Sequence, residues 1–207
     1  MYKGSPRVGV GLTEYSKHKV GMHSDDLITK GSRSDNAAFY ADLHSMYPLK
    51  SWGAVTLQTP RTYCGKQISL HRSKAGKLWY RISQQEAVED WLSEENMGGV
   101  RPVSSPMPDK AELHSDIRPV TSDQHKWVRS AVGNLSYFAV ETRDDISHDV
   151  NRVAQFLEAP TQGTIKATRR IMAYLVGTSD KGLLVPVTTE NDWKCYSDSD
   201  HAGDRST

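Results

Sequence analysis

The tightest constraint on the fold lies between residues 127 and 176, where three apolar series at helical spacing follow one another with little room between them. Trp127, Ala131, Leu135 and Phe138 form the first; Ile146, Val150, Val153 and Leu157 the second; Ile165, Met172, Leu175 and Val176 the third. Residues three, four or seven apart share one face of an α-helix, so each series is an apolar stripe that has to be buried. The connectors "ETRDD" and "APTQG" leave the helices no choice but to fold back on one another. A compact, roughly antiparallel helical unit is therefore expected.

Upstream of this unit, Pro102, Pro106, Pro108 and Pro119 interrupt residues 98–120, a composition that resists both helix and interior strand and reads as a linker. Earlier still the pattern alternates. "RVGVGLTEY", "KVGMH" and "LITKG" are β-prone runs with hairpin grammar, and "SDNAAFYADLHSMYP" reads as a helix capped by Ser34 or Asp35 and stopped at Pro48. Residues 61–83 suggest a second hairpin with Gly76 in its turn, and "QQEAVEDWLSEENMGG" a helix ending at Gly98. After the helical unit, "GLLVPV" and "WKCYSD" read as strands. The class is α+β. The expected divisions are residues 1–100, a proline-rich linker at 101–122, a helical region at 123–180 and a closing β segment at 181–207.

Composition narrows function more than fold. The 26 basic and 25 acidic residues leave a formal net charge of +1, so no global field calls for nucleic acid or an anionic membrane, and any such contact has to come from a local patch. Cys64 and Cys195 are the only cysteines, far apart, without zinc or disulfide-scaffold spacing. Apolar runs are a few residues long and the start "MYKGSPRVGV" has no signal core, so an intracellular, non-secreted protein without a membrane span is expected. A mean hydropathy of -0.61 leans polar for a self-sufficient globule. His18, His44, His71, His114, His125 and His148 show no metal-binding spacing, and Trp79, Tyr80 and Trp91 read as core. The sequence does not indicate an oligomeric state.

Two acidic stretches and one basic helix carry the candidate chemistry. Asp25 and Asp26 interrupt the first hairpin, where adjacent carboxylates suit a hard cation such as magnesium, which takes oxygen ligands and keeps several waters. Alone, the dipeptide fits a solvated turn better. Asp198, Asp200 and Asp204 follow the last apolar run; alternation along Trp193, Cys195 and Ser197 puts the Asp198 carboxylate at a strand end, where a metal ligand or a polar tail are equal readings. His201 beside Asp200 is a weaker addition. Lys166, Arg169 and Arg170 lie on a helix face away from Ile165 and Met172, where they form a phosphate-contacting face or a solvated one.

The order of these segments resembles the junction of reverse transcriptase and RNase H in copia-type retrotransposon Pol polyproteins. "WVRSAVGNLSYFAVETRDDI" is similar to the family's aromatic, Ser-Ala-hydrophobic-Gly, Leu, Tyr and Thr-Arg-Pro-Asp-Ile pattern, at Trp127, Ser130, Ala131, Gly133, Leu135, Tyr137, Thr142, Arg143, Asp145 and Ile146. "APTQGTIKATRRIMAYLVGT" resembles its Asn-Pro-Thr segment and basic helix, and "YSDSDHAGD" its Tyr-Ser-Asp-Ala-Asp-Trp-Ala-Gly-Asp. "HSDDLITKGS" stands at the Tyr-hydrophobic-Asp-Asp box, and "GKLWYRISQQEAVEDWLSEENMGGVRPVSSPM" resembles the stretch joining palm to thumb. Departures fall at His23, Ser24, Asp144, Thr164, Ile165 and His201.

The resemblance implies a partial polymerase palm and the start of a thumb in residues 1–100, a thumb-like helical region at 123–180 and the first strands of an RNase H-like domain at 181–207. It implies that Asp25 and Asp26 are polymerase metal ligands and Asp198 the first RNase H ligand, that the cofactor is magnesium or manganese, and that the partner is an RNA or DNA template-primer contacted by Lys166, Arg169 and Arg170. Two-metal nucleotidyl transfer needs several carboxylates at once. With the first polymerase acid and the other RNase H acids outside the matched segments, little or no independent catalysis is expected. The competing reading is a nucleic-acid-binding or protein-interaction module without chemistry.

Overall fold

In chain order the elements are β1 (Lys19–His23), β2 (Asp26–Lys30), α1 (Arg33–Met46), β3 (Arg61–Tyr63), β4 (Lys66–Arg72), β5 (Leu78–Ser83), α2 (Gln85–Glu94), α3 (Ser122–Glu141), a 3-10 turn at Asp144–Ile146, α4 (Ser147–Ala154), α5 (Gln162–Val176) and β6 (Leu183–Pro186). They come from a computed structural model that describes residues 19–23, 26–107, 113 and 116–187. The mixed α+β composition agrees with the sequence pattern. Among the described residues no helix is long and apolar enough to cross a membrane.

The three apolar series become α3, the 3-10 turn with α4, and α5, and they share one core with α2. Val128, Ala131, Leu135 and Phe138 of α3 close onto Ile146, Val150 and Val153 and onto Ile171, Met172 and Leu175 of α5, with Val88, Trp91 and Leu92 of α2 completing the cluster. Trp127, Leu157 and Val176, the outermost members of the series, are half-buried at its rim. Both long helices start on reciprocal caps. Thr121 Oγ1 accepts from Gln124 N while Gln124 Oε1 accepts from Thr121 N; Thr161 and Thr164 repeat the arrangement at α5.

The β elements form two separate antiparallel sheets. Among the described residues the β1–β2 hairpin is a sheet of its own, and β3, β4, β5 and β6 form a four-stranded sheet in that order. Three strands, not two, occupy residues 61–83: Tyr63 pairs with Lys66 across Cys64–Gly65, and both turn residues have positive φ (48° and 72°), as a two-residue hairpin turn of the primed type requires. Gly76 (φ 80°) turns β4 into β5 as expected. The "GLLVPV" strand, β6, pairs with β5 of this sheet, Ile82 opposite Leu183. Gly182 makes that approach possible, because a Cβ there would stand 2.2 Å from the Ile82 carbonyl oxygen.

Two further differences from the sequence expectation have local causes. Helix α1 is capped by Ser32, whose hydroxyl accepts from Asp35 N, so neither Ser34 nor Asp35 is the cap. The described part of the proline-rich stretch is strapped to the helices: Leu113 is buried in the core, Val103 and Met107 pack on it, and Pro119 bridges to Thr161.

Candidate nucleic-acid interface

The Thr142–Arg143–Asp145 stretch, charged and placed between two helices, looks like a surface connector in sequence. It is the polar heart of the fold. Arg143 is 1 % exposed and donates to both carboxylate oxygens of Asp145 (Nε to Oδ1 and Nη2 to Oδ2, each 2.9 Å), to the Thr178 carbonyl (2.9 Å) and to the Thr178 hydroxyl (2.8 Å). Tyr174 donates to Asp145 Oδ2 and accepts from Lys181 Nζ, each at 2.8 Å. Thr142 donates to Gln84 Oε1 at 2.9 Å in the buried interior. Burial raises the Asp145 carboxyl's pKa, but the bonds from Arg143 and Tyr174 outweigh it, and the group is held below the usual carboxylate range. A buried guanidinium making four hydrogen bonds ties the end of α3 to the end of α5, so α5 is a rigid platform for what it displays.

That platform carries the basic face. Lys166 and Arg169 are exposed, three residues apart on neighbouring turns, and Arg170 is half-buried, so the helix does not present the three cations equally. Lys166 Nζ lies 2.8 Å from Asp116 Oδ2, whose carboxylate also accepts Arg118 Nε and Nη2 at 2.8 Å each. These bonds hold the Asp116 carboxyl far below its ordinary range, Arg118 first and Lys166 second. The Arg169 guanidinium lies 5.4 Å from the centroid of the Trp127 ring, and the indole N–H donates to Glu95 Oε2 at 2.7 Å. Trp127 and Arg169 line two shallow clefts, one of about 270 Å³ with Asp123 and Gln124, the other of about 420 Å³ with Glu95 and Val100.

The acidic candidates are placed less completely. Asp26 is the first residue of β2, opposite His23 at the end of the hairpin. Burial, the hydrogen bond to Cys64 and the charges of Cys64 and Asp26 each raise the pKa of the Tyr63 phenol, beside the β3–β4 turn. In that turn Lys66 is ion-paired with Glu141 of α3, and the bond to Glu141 raises the ammonium's pKa. Asp25, Asp198, Asp200, Asp204 and His201 lie outside the described residues. Among the described residues no three His, Cys, Asp or Glu side chains group to hold a metal ion. Asp26 alone is not a donor set for magnesium.

Comparison with known proteins supplies the lineage. The chain is 36% identical over 124 residues to the retrovirus-related Pol polyprotein from transposon RE1 of Arabidopsis thaliana, covering 60% of this chain and 8% of that protein. It is 31% identical over 189 residues to the Pol polyprotein from transposon TNT 1-94 of Nicotiana tabacum, covering 88% of this chain and 14% of the polyprotein. An uncharacterized mitochondrial protein of Arabidopsis thaliana is 31% identical over 188 residues, 90% of this chain and 72% of the relative. The chain belongs to the family of retrovirus-related Pol polyproteins of copia-type transposons. It spans a small part of the full-length Pol polyproteins it matches. No protein-family model matches it, and no solved structure does.

The residues that mark the resemblance lock the helix that carries the cations. The signal was available in the text: an arginine two residues before an aspartate, in a connector too short to reach solvent freely between two buried helices.

Proposed function

We propose that this chain is the section of a Pol polyprotein that runs from RNA-directed DNA polymerase into RNase H, and that by itself it grips nucleic acid without copying or cutting it. The observation that carries the reading is the exposed Lys166–Arg169 edge of α5, held rigid by the buried Arg143 network, in a chain of the Pol family. Lysine and arginine contacts to phosphates give affinity that is salt-dependent and indifferent to sequence, as binding to a template-primer demands. In this reading Asp25 and Asp26 lend carboxylates to a magnesium or manganese site that polymerase residues elsewhere in the polyprotein complete, and Asp198 does the same for the nuclease. The chemistry then belongs to the assembled polyprotein.

Fluorescence anisotropy with a labelled RNA–DNA hybrid tests this directly. The 207-residue chain binds the hybrid at low salt. Replacing Lys166, Arg169 and Arg170 with Gln together flattens the log K against log salt slope by roughly 2 to 3, at about 0.9 per lost phosphate contact. Asp25→Ala and Asp26→Ala bind as the unaltered chain does. No binding in low salt, or magnesium-dependent primer extension by the chain alone, overturns the reading.

A further inference from the structure

The basic face is already occupied by an anion belonging to the chain itself. Asp116 sits in the proline-rich strap, and its backbone is fixed against α5: Gly163 N donates to Asp116 O (2.9 Å) and Gln162 N to Arg118 O (3.0 Å). Its carboxylate, whose side chain is 10% exposed, receives a bidentate fork from Arg118 and a third charged bond from Lys166. The two cations are otherwise open to solvent, at 74% and 60% side-chain exposure. A planar guanidinium fork and an adjacent ammonium closing on one oxyanion is the donor set that grips a phosphate.

We infer that Arg118 and Lys166 form a phosphate-binding site for a nucleic-acid backbone, in which the Asp116 carboxylate stands in for the phosphate when no nucleic acid is bound. This rests on the proposed nucleic-acid reading and extends it to a residue outside α5. Arg169 continues the site along the helix. The Arg169 guanidinium packs over the Trp127 ring, and no ion pair to a carboxylate is seen at Arg169 among the described residues. The neighbouring charges set the balance. Among the described residues, Asp116, Asp123 and Glu95 are acids at this surface, and Arg118, Lys126, Lys166 and Arg169 are bases, with Arg170 half-buried. The internal carboxylate therefore holds back affinity that the cations would otherwise express, and a backbone phosphate has to displace it.

The test measures hybrid binding across a salt series for the unaltered chain, Asp116→Asn and the double variant Asp116→Asn/Arg118→Gln, with far-ultraviolet circular dichroism confirming that each is helical. Asp116→Asn keeps the side chain's size and frees both cations, so it binds several-fold tighter, with a log K against log salt slope steeper by about 1. The double variant loses that gain. If the unaltered chain binds and Asp116→Asn binds no tighter, Asp116 is a structural ion pair only and the inference fails while the proposed function stands. If neither binds, both fail. Should Asp116→Asn unfold, Arg118→Gln alone supplies the readout. It leaves the main-chain bonds of residue 116 intact and lowers the salt slope by about 1; an unchanged slope overturns the inference.

Discussion

The hairpin and helix at residues 19–46 and the helical unit at residues 122–176 are both made of regular elements with good local signals, but they are stabilised in different ways. In the first, β1 is exposed along its length, no residue of α1 is buried, and Val20, Met22, Met46 and Tyr47 face solvent. Bonds such as Tyr40 to the Leu49 carbonyl and Leu49 N to His44 Nδ1 stay within one turn and its flank. In the second, Val128, Ala131, Leu135, Ile146, Val153, Ile171 and Leu175 are at 0% exposure. An isolated two-stranded hairpin and a helix of 14 residues are marginal alone in water. Local grammar therefore suffices to write an element, but burial decides whether it has stability of its own.

The largest effect that can test this contrast comes from the buried charge. Arg143→Ala removes a guanidinium that is 1% exposed and leaves Asp145 and Thr178 without their shared partner. Breaking one side of a buried pair costs about 3–5 kcal/mol. Urea unfolding followed by Trp fluorescence should show the midpoint collapse, whereas Met22→Ala, at a side chain 74% exposed, moves it by less than about 0.5 kcal/mol. Equal losses at the two sites would show that the hairpin region is part of the cooperative core.

Acid sharpens the same contrast with a smaller effect. The Asp145 carboxyl is depressed in the folded chain, so the stability it contributes is complete above the ordinary carboxylate value of about 4 and is lost as the pH falls through the lower, folded value. Asp116 acts with the same sign, on a more exposed pair. Thermal melts from pH 6 downward should therefore hold level and then fall below about pH 4. Asp145→Asn should start less stable and fall less steeply over that range; a slope identical to that of the unaltered chain would remove Asp145 from the acid response.

What the sequence disclosed follows the same line between local and distant causes. The helical stripes were legible because a 3.6-residue period is written in neighbouring residues, and the first hairpin and the Gly76 turn for the same reason. The β3–β4 turn was not, since Cys64–Gly65 lacks the Asn-Gly or Asp-Gly pair that marks such turns. The pairing of β6 with β5 and the Arg143 network depend on partners supplied from far along the chain, and no periodicity encodes those. At the candidate interface, Lys166 and Arg169 could be read from helical spacing, while Asp116 and Arg118 were hidden in a proline-rich stretch whose docking onto α5 is a tertiary fact.

Helix caps give the smallest effect and the finest version of the comparison, because the chemistry is nearly the same at both ends of the contrast. Ser32 caps α1 through a bond from Asp35 N at 3.1 Å, and Thr121 caps α3 through a bond from Gln124 N at 3.2 Å. Replacing either with Ala removes an acceptor worth about 1 kcal/mol to its helix. For Thr121→Ala the loss is transmitted to the whole core, since α3 contributes Leu135 and Phe138 to it, and the global melting temperature falls. For Ser32→Ala the same loss stays in α1: amide exchange across Arg33–Met46 quickens while the global melt holds. A shared drop in the global melt would mean that α1 is coupled to the helical unit despite having no buried residue, and would place the boundary between the two regions earlier in the chain than residue 33.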